Sequence, residues 1–443
     1  MGIGVFLKYW GPLALYILGL AFSLKAISGN VRWALMLMLF LLPLRNITES
    51  LQALPLGDQF IDILLFSIII GWLVHASSKN LPFLKKSSTN VIATILIIYT
   101  FISLLKGNIY LYENISFNFA DYRFQDWKNF CLLPVLFFVA LNNTHEKKDV
   151  WLMISVMCVA MFIMDYYIIR QISEYSSLLS RSKISGTFQF LGPNEVAAFL
   201  NVNTIILISI FYFMKNTKNK WILLVLILAN LFCITFLYSR GAYAGLVLGL
   251  FVLFAIKDRK MLIPLILILI FWQFALPEKV VSRIKETKTE TGRLDESSQL
   301  RIDVWQASMD IFKKDPIIGI GFSVFRCLGF KLGDTHNIYI KILTEQGVIG
   351  FVIFFSVICC FIREGFCLYQ KGEDGPEKGL GLGLLIGVLV LLVNNLFGDR
   401  WTYLEPNAYL WVFAGLVARL NVKKPVLKET PKQVKKKVRY YDL

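Results

Sequence analysis

Apolar residues in this chain are gathered into unbroken runs long enough to cross a bilayer, such as "WILLVLILANLFCITFLY" at 221–238, rather than spread at amphipathic spacing. Backbone polar groups in lipid must be satisfied within the chain, so a sequence built of such runs folds as a bundle of membrane helices. With 56% hydrophobic and 17% charged residues over 443 positions, little remains from which to build a soluble domain. No fixed period repeats along the chain. The expectation is one all-α polytopic membrane domain over 1–443. No small-residue cleavage site follows a short apolar stretch, so the first apolar run reads as the first helix.

Basic residues orient the bundle. "KNTKNK" at 215–220, "KDRK" at 257–260, the stretch 363–378 and a basic tail at 421–443 share one face if each apolar run crosses once. The positive-inside bias makes that face cytoplasmic, tail included. Much of the net charge of +16 lies there, which favours membrane anchoring over nucleic-acid binding. Runs near 9–24, 31–44, 59–76, 91–105, 129–141, 150–169, 195–214, 221–238, 242–256, 261–276, 346–362, 379–397 and 405–420 predict about twelve or thirteen transmembrane helices, the first two without a clear charge bias. The far side then receives 238–241, a large loop at 277–336, and "GDRW" at 398–401. Six of the seven cysteines lie in or beside apolar runs, so no disulfide framework is expected.

The large loop carries its own short amphipathic segment. In "SSQLRIDVWQASMDIFKKDP", Leu300, Val304, Ala307 and Ile311 recur at helical spacing, Ser297 or Ser298 offers an N-cap, and Pro316 a stop. This predicts an interfacial helix with Arg301 one turn before Trp305.

Sorting side chains by face points to chemistry. His75 and His145 fall on the cytoplasmic side and leave His336 as the only histidine outside, a natural general base near neutral pH. Arg240, Arg283, Arg293, Arg301, Arg326 and Arg400 gather on the same side, and guanidinium groups grip phosphate bidentately without losing charge. That face holds no Asp-x-Asp, His-x-x-x-His or Cys-x-x-Cys, so neither a metal nor a cofactor is expected. Blander readings stand beside these. Arg240 could be an interfacial snorkelling residue, Gly241, Gly245 and Gly249 a helix-packing face, and His336 a polar helix end. Glu345 lies about half a revolution from His336 on a straight helix and reads as a partner of Lys341 at i, i+4. Asp62, Asp165 and Glu195 sit in or at the ends of apolar runs, where ionisable groups are costly and therefore functional candidates.

In order along the chain stand "YSRGAYAGLVLGL" at 238–250, "LRIDVWQASMDIFKKDPIIGIGF" at 300–322 and "THNIYIKILTEQGVIGF" at 335–351. The succession Ser-Arg-Gly, Arg-x-x-x-Trp, Asp-Pro-x-x-Gly-x-Gly, His-Asn-x-Tyr resembles the shared core of the bacterial O-antigen ligase and O-antigen polymerase superfamily, over roughly 190–400. The resemblance implies a GT-C type glycosyltransferase of the bacterial inner membrane with a periplasmic site. It would move a glycan from undecaprenyl diphosphate to an acceptor hydroxyl, with inversion and without metal. It assigns Arg240 and Arg301 to the diphosphate and His336 to the base. Arg283, Asn337, Tyr339, Asp399 and Arg400 are taken as further substrate contacts, with Asp399 open between orienting Arg400, binding a sugar hydroxyl and capping a helix. A ligase with lipid A-core as acceptor is favoured by the compact signature and single large loop. A polymerase using a second lipid-linked glycan needs the same groups. A transporter or flippase of lipid-linked glycan, the non-enzymatic alternative, predicts inverted repeats and midplane charges instead.

Overall fold

The computed structural model describes residues 3–114, 121–175, 183–285, 296–372 and 374–422. Arg293 and nearly all of the basic tail lie outside the described residues. Among those described there is no strand. The helices are α1 (Ile3–Ile27), α2 (Arg32–Leu41), α3 (Arg45–Glu49), α4 (Phe60–Ser78), α5 (Thr89–Tyr110), α6 (Tyr122–Asn143) and α7 (Lys147–Glu174). They continue as α8 (Pro193–Phe213), α9 (Thr217–Phe236), α10 (Arg240–Lys257), α11 (Leu262–Ile270), α12 (Trp272–Ala275) and α13 (Glu278–Lys285). The last described helices are α14 (Glu296–Lys314), α15 (Ile338–Lys371), α16 (Pro376–Asn394) and α17 (Leu404–Asn421).

Ten of the described helices are long and apolar enough to cross a membrane, and the chain is a multi-pass membrane protein. Three more runs counted from the sequence fall outside that set. α2 has ten residues, α11 has nine, and α17 carries Glu405, Asn407 and Arg419. α17 can be polar because it is central: every residue from Glu405 to Ala418 is buried, and it packs on α6, α8 and α15. The run at 261–276 breaks after Ile270. Its last turn stops at Leu276, which Pro277 forces into extended geometry (φ −104°, ψ 151°).

The bundle has two distinct ends. At one, the rings of His75 and His145 meet at 5.5 Å, and the carbonyl of Thr144 accepts from Lys85 Nζ (2.9 Å) and Arg419 Nε (2.7 Å). These cations close the C-terminus of α6, where the helix dipole is negative. At the other end lie the N-termini of α4, α6, α8, α10, α15 and α17, all bordering two cavities. His336 is at this second end, opposite both other histidines.

Two motifs acquire physical reasons here. Gly241, Gly245 and Gly249 form the buried face of α10, and a Cβ at Gly249 would stand 2.7 Å from Val390 and 2.9 Å from Ile205. The 315–321 stretch is spliced into a break in α15. At Gly347 the backbone turns to φ 64°, leaving helical groups without partners. The loop supplies them: Ile320 N and Gly321 N donate to the carbonyls of Thr344 (3.0 Å) and Glu345 (2.7 Å), while Val348 N donates to Pro316 O (2.9 Å). Gly321 (φ 119°) also passes so close to Gly107 that a Cβ would lie 2.2 Å from its Cα.

α14 stops before Pro316 as the sequence predicts. Ser297 and Ser298 lie within the helix rather than at its cap. Its inner face rests on α15, with Val304 and Ser308 buried and Ser308 O accepting from Thr344 Oγ1 at 3.3 Å.

Candidate functional site

α15 begins where Asn337 caps it. The Asn337 side-chain oxygen accepts from Tyr339 N (3.0 Å) and Ile340 N (3.3 Å), and its amide donates to Leu396 O (3.4 Å). Tyr339 sends its hydroxyl to Leu392 O at 2.6 Å. Neither residue lines either of the two cavities. Both side chains tie the start of α15 to its neighbours.

His336, one residue earlier, has φ 51°, a left-handed conformation that non-glycine residues rarely adopt. Its neighbours impose it. Thr335 Oγ1 donates to Asn337 O, and Trp305 Nε1 donates to Thr335 O, both at 2.8 Å. Such conformations cost roughly 1–3 kcal/mol and gather at functional sites. The imidazole lines a chamber of about 670 Å³. The Arg-x-x-x-Trp spacing is now legible: Trp305 anchors the segment leading to His336, and Arg301, one turn earlier, lines the adjoining cavity.

That second cavity, of about 530 Å³, brings together Arg240, Arg283, Arg301 and Arg400 from four separate parts of the chain. Tyr238, Trp305 and Phe397 add apolar wall. Arg400 lines both cavities and so stands at their junction. Its guanidinium donates to Glu195 Oε1 (2.7 Å) and to the carbonyl of Asp399 (3.0 Å), and its own N–H donates to Asn395 Oδ1 (2.8 Å). Glu195 lies in the first turn of α8, where the helix dipole favours a carboxylate.

Asp399 lines neither cavity. Its buried carboxylate accepts from Trp401 N and Thr402 N (both 2.9 Å) and from the Thr402 hydroxyl, closing the turn that carries Arg400. Lys341 Nζ lies 2.8 Å from Asp399 Oδ2 and 3.6 Å from Asp334 Oδ1. The Lys341–Glu345 pair read from i, i+4 spacing is therefore corrected, because Lys341 points toward the two aspartates. Glu345 Oε1 instead accepts from Phe325 N at 3.0 Å. Of the other costly acids, Asp62 pairs with Lys128 at 2.5 Å on the chamber wall. Asp165 is buried among helices, 2.7 Å from the amide of Asn230.

Burial lowers the pKa of His336 from its ordinary value, and the charges of Arg301 and Arg400 lower it further against the opposing pull of Asp334. The imidazole is thus neutral near pH 7 and able to accept a proton. For Asp399 burial alone would raise the pKa, but Lys341 and the donors of the 399–402 turn outweigh it and hold the carboxyl below its usual range. Among the described residues no three His, Cys, Asp or Glu side chains are grouped as metal ligands. All seven cysteines are free thiols.

Sequence reasoning valued Glu195 and Asp62 only as costly acids and did not single out Asp334. Their signal was a carboxylate at the edge of an apolar run or beside the histidine, and it named no partner. Comparison with protein families matches residues 222–355 to O-antigen ligase. The matched segment, just under a third of the chain, contains Arg240, Arg283, Arg301 and His336 and is similar to that family. No curated protein matches the chain.

Proposed function

From the O-antigen ligase match as premise, we propose that this protein transfers a glycan from undecaprenyl diphosphate to an acceptor hydroxyl at the periplasmic face of the bacterial inner membrane, with its C-terminus in the cytoplasm. The observation that carries the reading is the pair of adjoining cavities, one walled by four arginines and the other by His336, with Arg400 at the junction. A diphosphate in the first would meet guanidinium groups able to take up the charge that grows on a leaving group. An acceptor in the second would present its hydroxyl to a neutral imidazole.

The reaction is then a single displacement. His336 takes the acceptor proton, the acceptor oxygen forms a bond to the anomeric carbon, and the bond from that carbon to the diphosphate oxygen breaks. Arg240 and Arg301 hold the departing diphosphate, with Arg283 and Arg400 beside them. Attack from the face opposite the leaving group inverts the anomeric centre. No covalent intermediate, metal or cofactor is required.

The acceptor in this reading is lipid A-core, which makes the protein a ligase. The test is transfer from purified lipid-linked glycan to lipid A-core, run beside transfer to a second lipid-linked glycan, in excess EDTA at neutral pH. Product on lipid A-core supports the ligase, and product only on the lipid-linked acceptor indicates a polymerase. Activity lost on chelation and restored by Mg²⁺ or Mn²⁺ would overturn the metal-free mechanism.

A further inference from the structure

The two cavities differ in charge as well as shape. Among the described residues, four arginines and no carboxylate line the cavity of Arg240. The chamber of His336 is lined by eight carboxylates and five cations. Each of those five cations is already in an ion pair. Arg45 meets Glu405 at 2.6 Å and Glu49 at 3.3 Å, Lys128 meets Asp62 at 2.5 Å, and Arg326 lies 3.9 Å from Asp126. Lys341 and Arg400 are held by Asp399 and Glu195. Even with the fully buried Glu345 set aside, acids outnumber bases.

Resting on the transfer reading above, we infer that the chamber selects its acceptor by charge: the sugar bearing the attacking hydroxyl is neutral or carries an amino group, and a uronic or phosphorylated sugar is excluded there. An anion entering the chamber meets no cation that is not already neutralised. To gain a contact it must break an existing pair and strand a carboxylate, and like charges brought together are strongly disfavoured. Hydroxyl and ammonium groups behave oppositely, because both donate hydrogen bonds and carboxylates only accept them. The same asymmetry sorts the two substrates. The surplus of acid in the chamber also repels the donor's diphosphate, which disfavours the donor in the acceptor's place.

The test uses the full chain in nanodiscs of uncharged lipid and three fluorescent trisaccharides differing only in their terminal sugar: glucose, glucosamine or glucuronic acid. Binding is read by fluorescence polarisation at about 20 mM and about 500 mM salt, since screening weakens exposed charge effects. The glucuronate probe should bind at least about tenfold more weakly than the glucose probe at low salt, and the glucosamine probe at least as tightly as glucose. The gap should narrow at high salt and in the Glu49→Gln/Asp58→Asn double variant, which removes two chamber carboxylates. Equal or tighter binding of glucuronate would overturn the inference. So would a gap indifferent to both salt and variant, or no difference among the three probes, including no measurable binding of any. Transfer from a lipid-linked donor is measured separately. Its absence with the affinity order intact counts against the transfer reading and leaves the charge rule standing.

Discussion

Replacing Lys341 with methionine tests the buried pair beneath the site. The ammonium lies 2.8 Å from Asp399, whose side chain has no solvent exposure. Methionine keeps most of the stem and removes the charge, so a buried carboxylate loses its counter-ion. Removing one partner of a buried pair costs about 3–5 kcal/mol. Asp399 retains the Trp401 and Thr402 backbone donors and the Thr402 hydroxyl, which puts the loss at the lower end, about 3 kcal/mol. Adding Asp399→Asn removes the orphaned charge and should return about 1–2 kcal/mol, a coupling typical of residues in contact. Unfolding in mixed detergent micelles can be followed by tryptophan fluorescence, because Trp401 and Trp411 are buried with ring centroids 5.5 Å apart. Turnover should fall together with stability in Lys341→Met, since the same turn carries Arg400. The reasoning fails if Lys341→Met is within about 0.5 kcal/mol of the parent, the range of an ordinary surface change, or if the double variant is no more stable than the single one.

His336→Ala should leave binding of the lipid-linked donor nearly intact and lower turnover by about two to four decades, whereas Arg240→Ala and Arg301→Ala should lose both, with poor rescue by lysine. Donor affinity and single-turnover rate decide this, and a histidine variant that loses donor binding as badly as the arginine variants makes the imidazole a diphosphate ligand. The acid limb of kcat/KM should lie below about pH 6.5, the ordinary histidine value, because burial and then Arg301 and Arg400 depress the pKa of His336. Activity is present above that limb and lost as pH falls through it. Asp334→Asn removes the opposing charge and should move the limb to still lower pH, so a shift upward contradicts the assignment. For sidedness, a cysteine at Gly333 should react with an impermeant thiol reagent added to intact cells and one at Lys260 should not. Equal labelling defeats the orientation.

The sequence by itself determined the solvent of each segment. Hydropathy is a local property, so runs such as 221–238 could be read as membrane helices without knowledge of their neighbours, and basic loops sorted His336 from His75 and His145. Local chemistry also marked the stop at Pro316, the glycine face of α10 and the order of the arginine and histidine motifs. Only the tertiary structure decided partners. Lys341 has a glutamate one turn along its own helix, yet its ammonium meets Asp399, 58 residues away, while Glu345 Oε1 accepts from Phe325 N. The acceptors of the Asn337 and Tyr339 side chains, the carbonyls of Leu396 and Leu392, likewise lie more than fifty residues away and carry no local signal. The surplus of acid in the chamber is assembled from segments far apart in sequence, with Glu49, Asp62, Glu195 and Glu405 among them. The physical reason is range: partition between water and lipid is decided residue by residue, whereas ion pairing in a low-dielectric interior depends on which distant side chains the fold brings within a few ångströms.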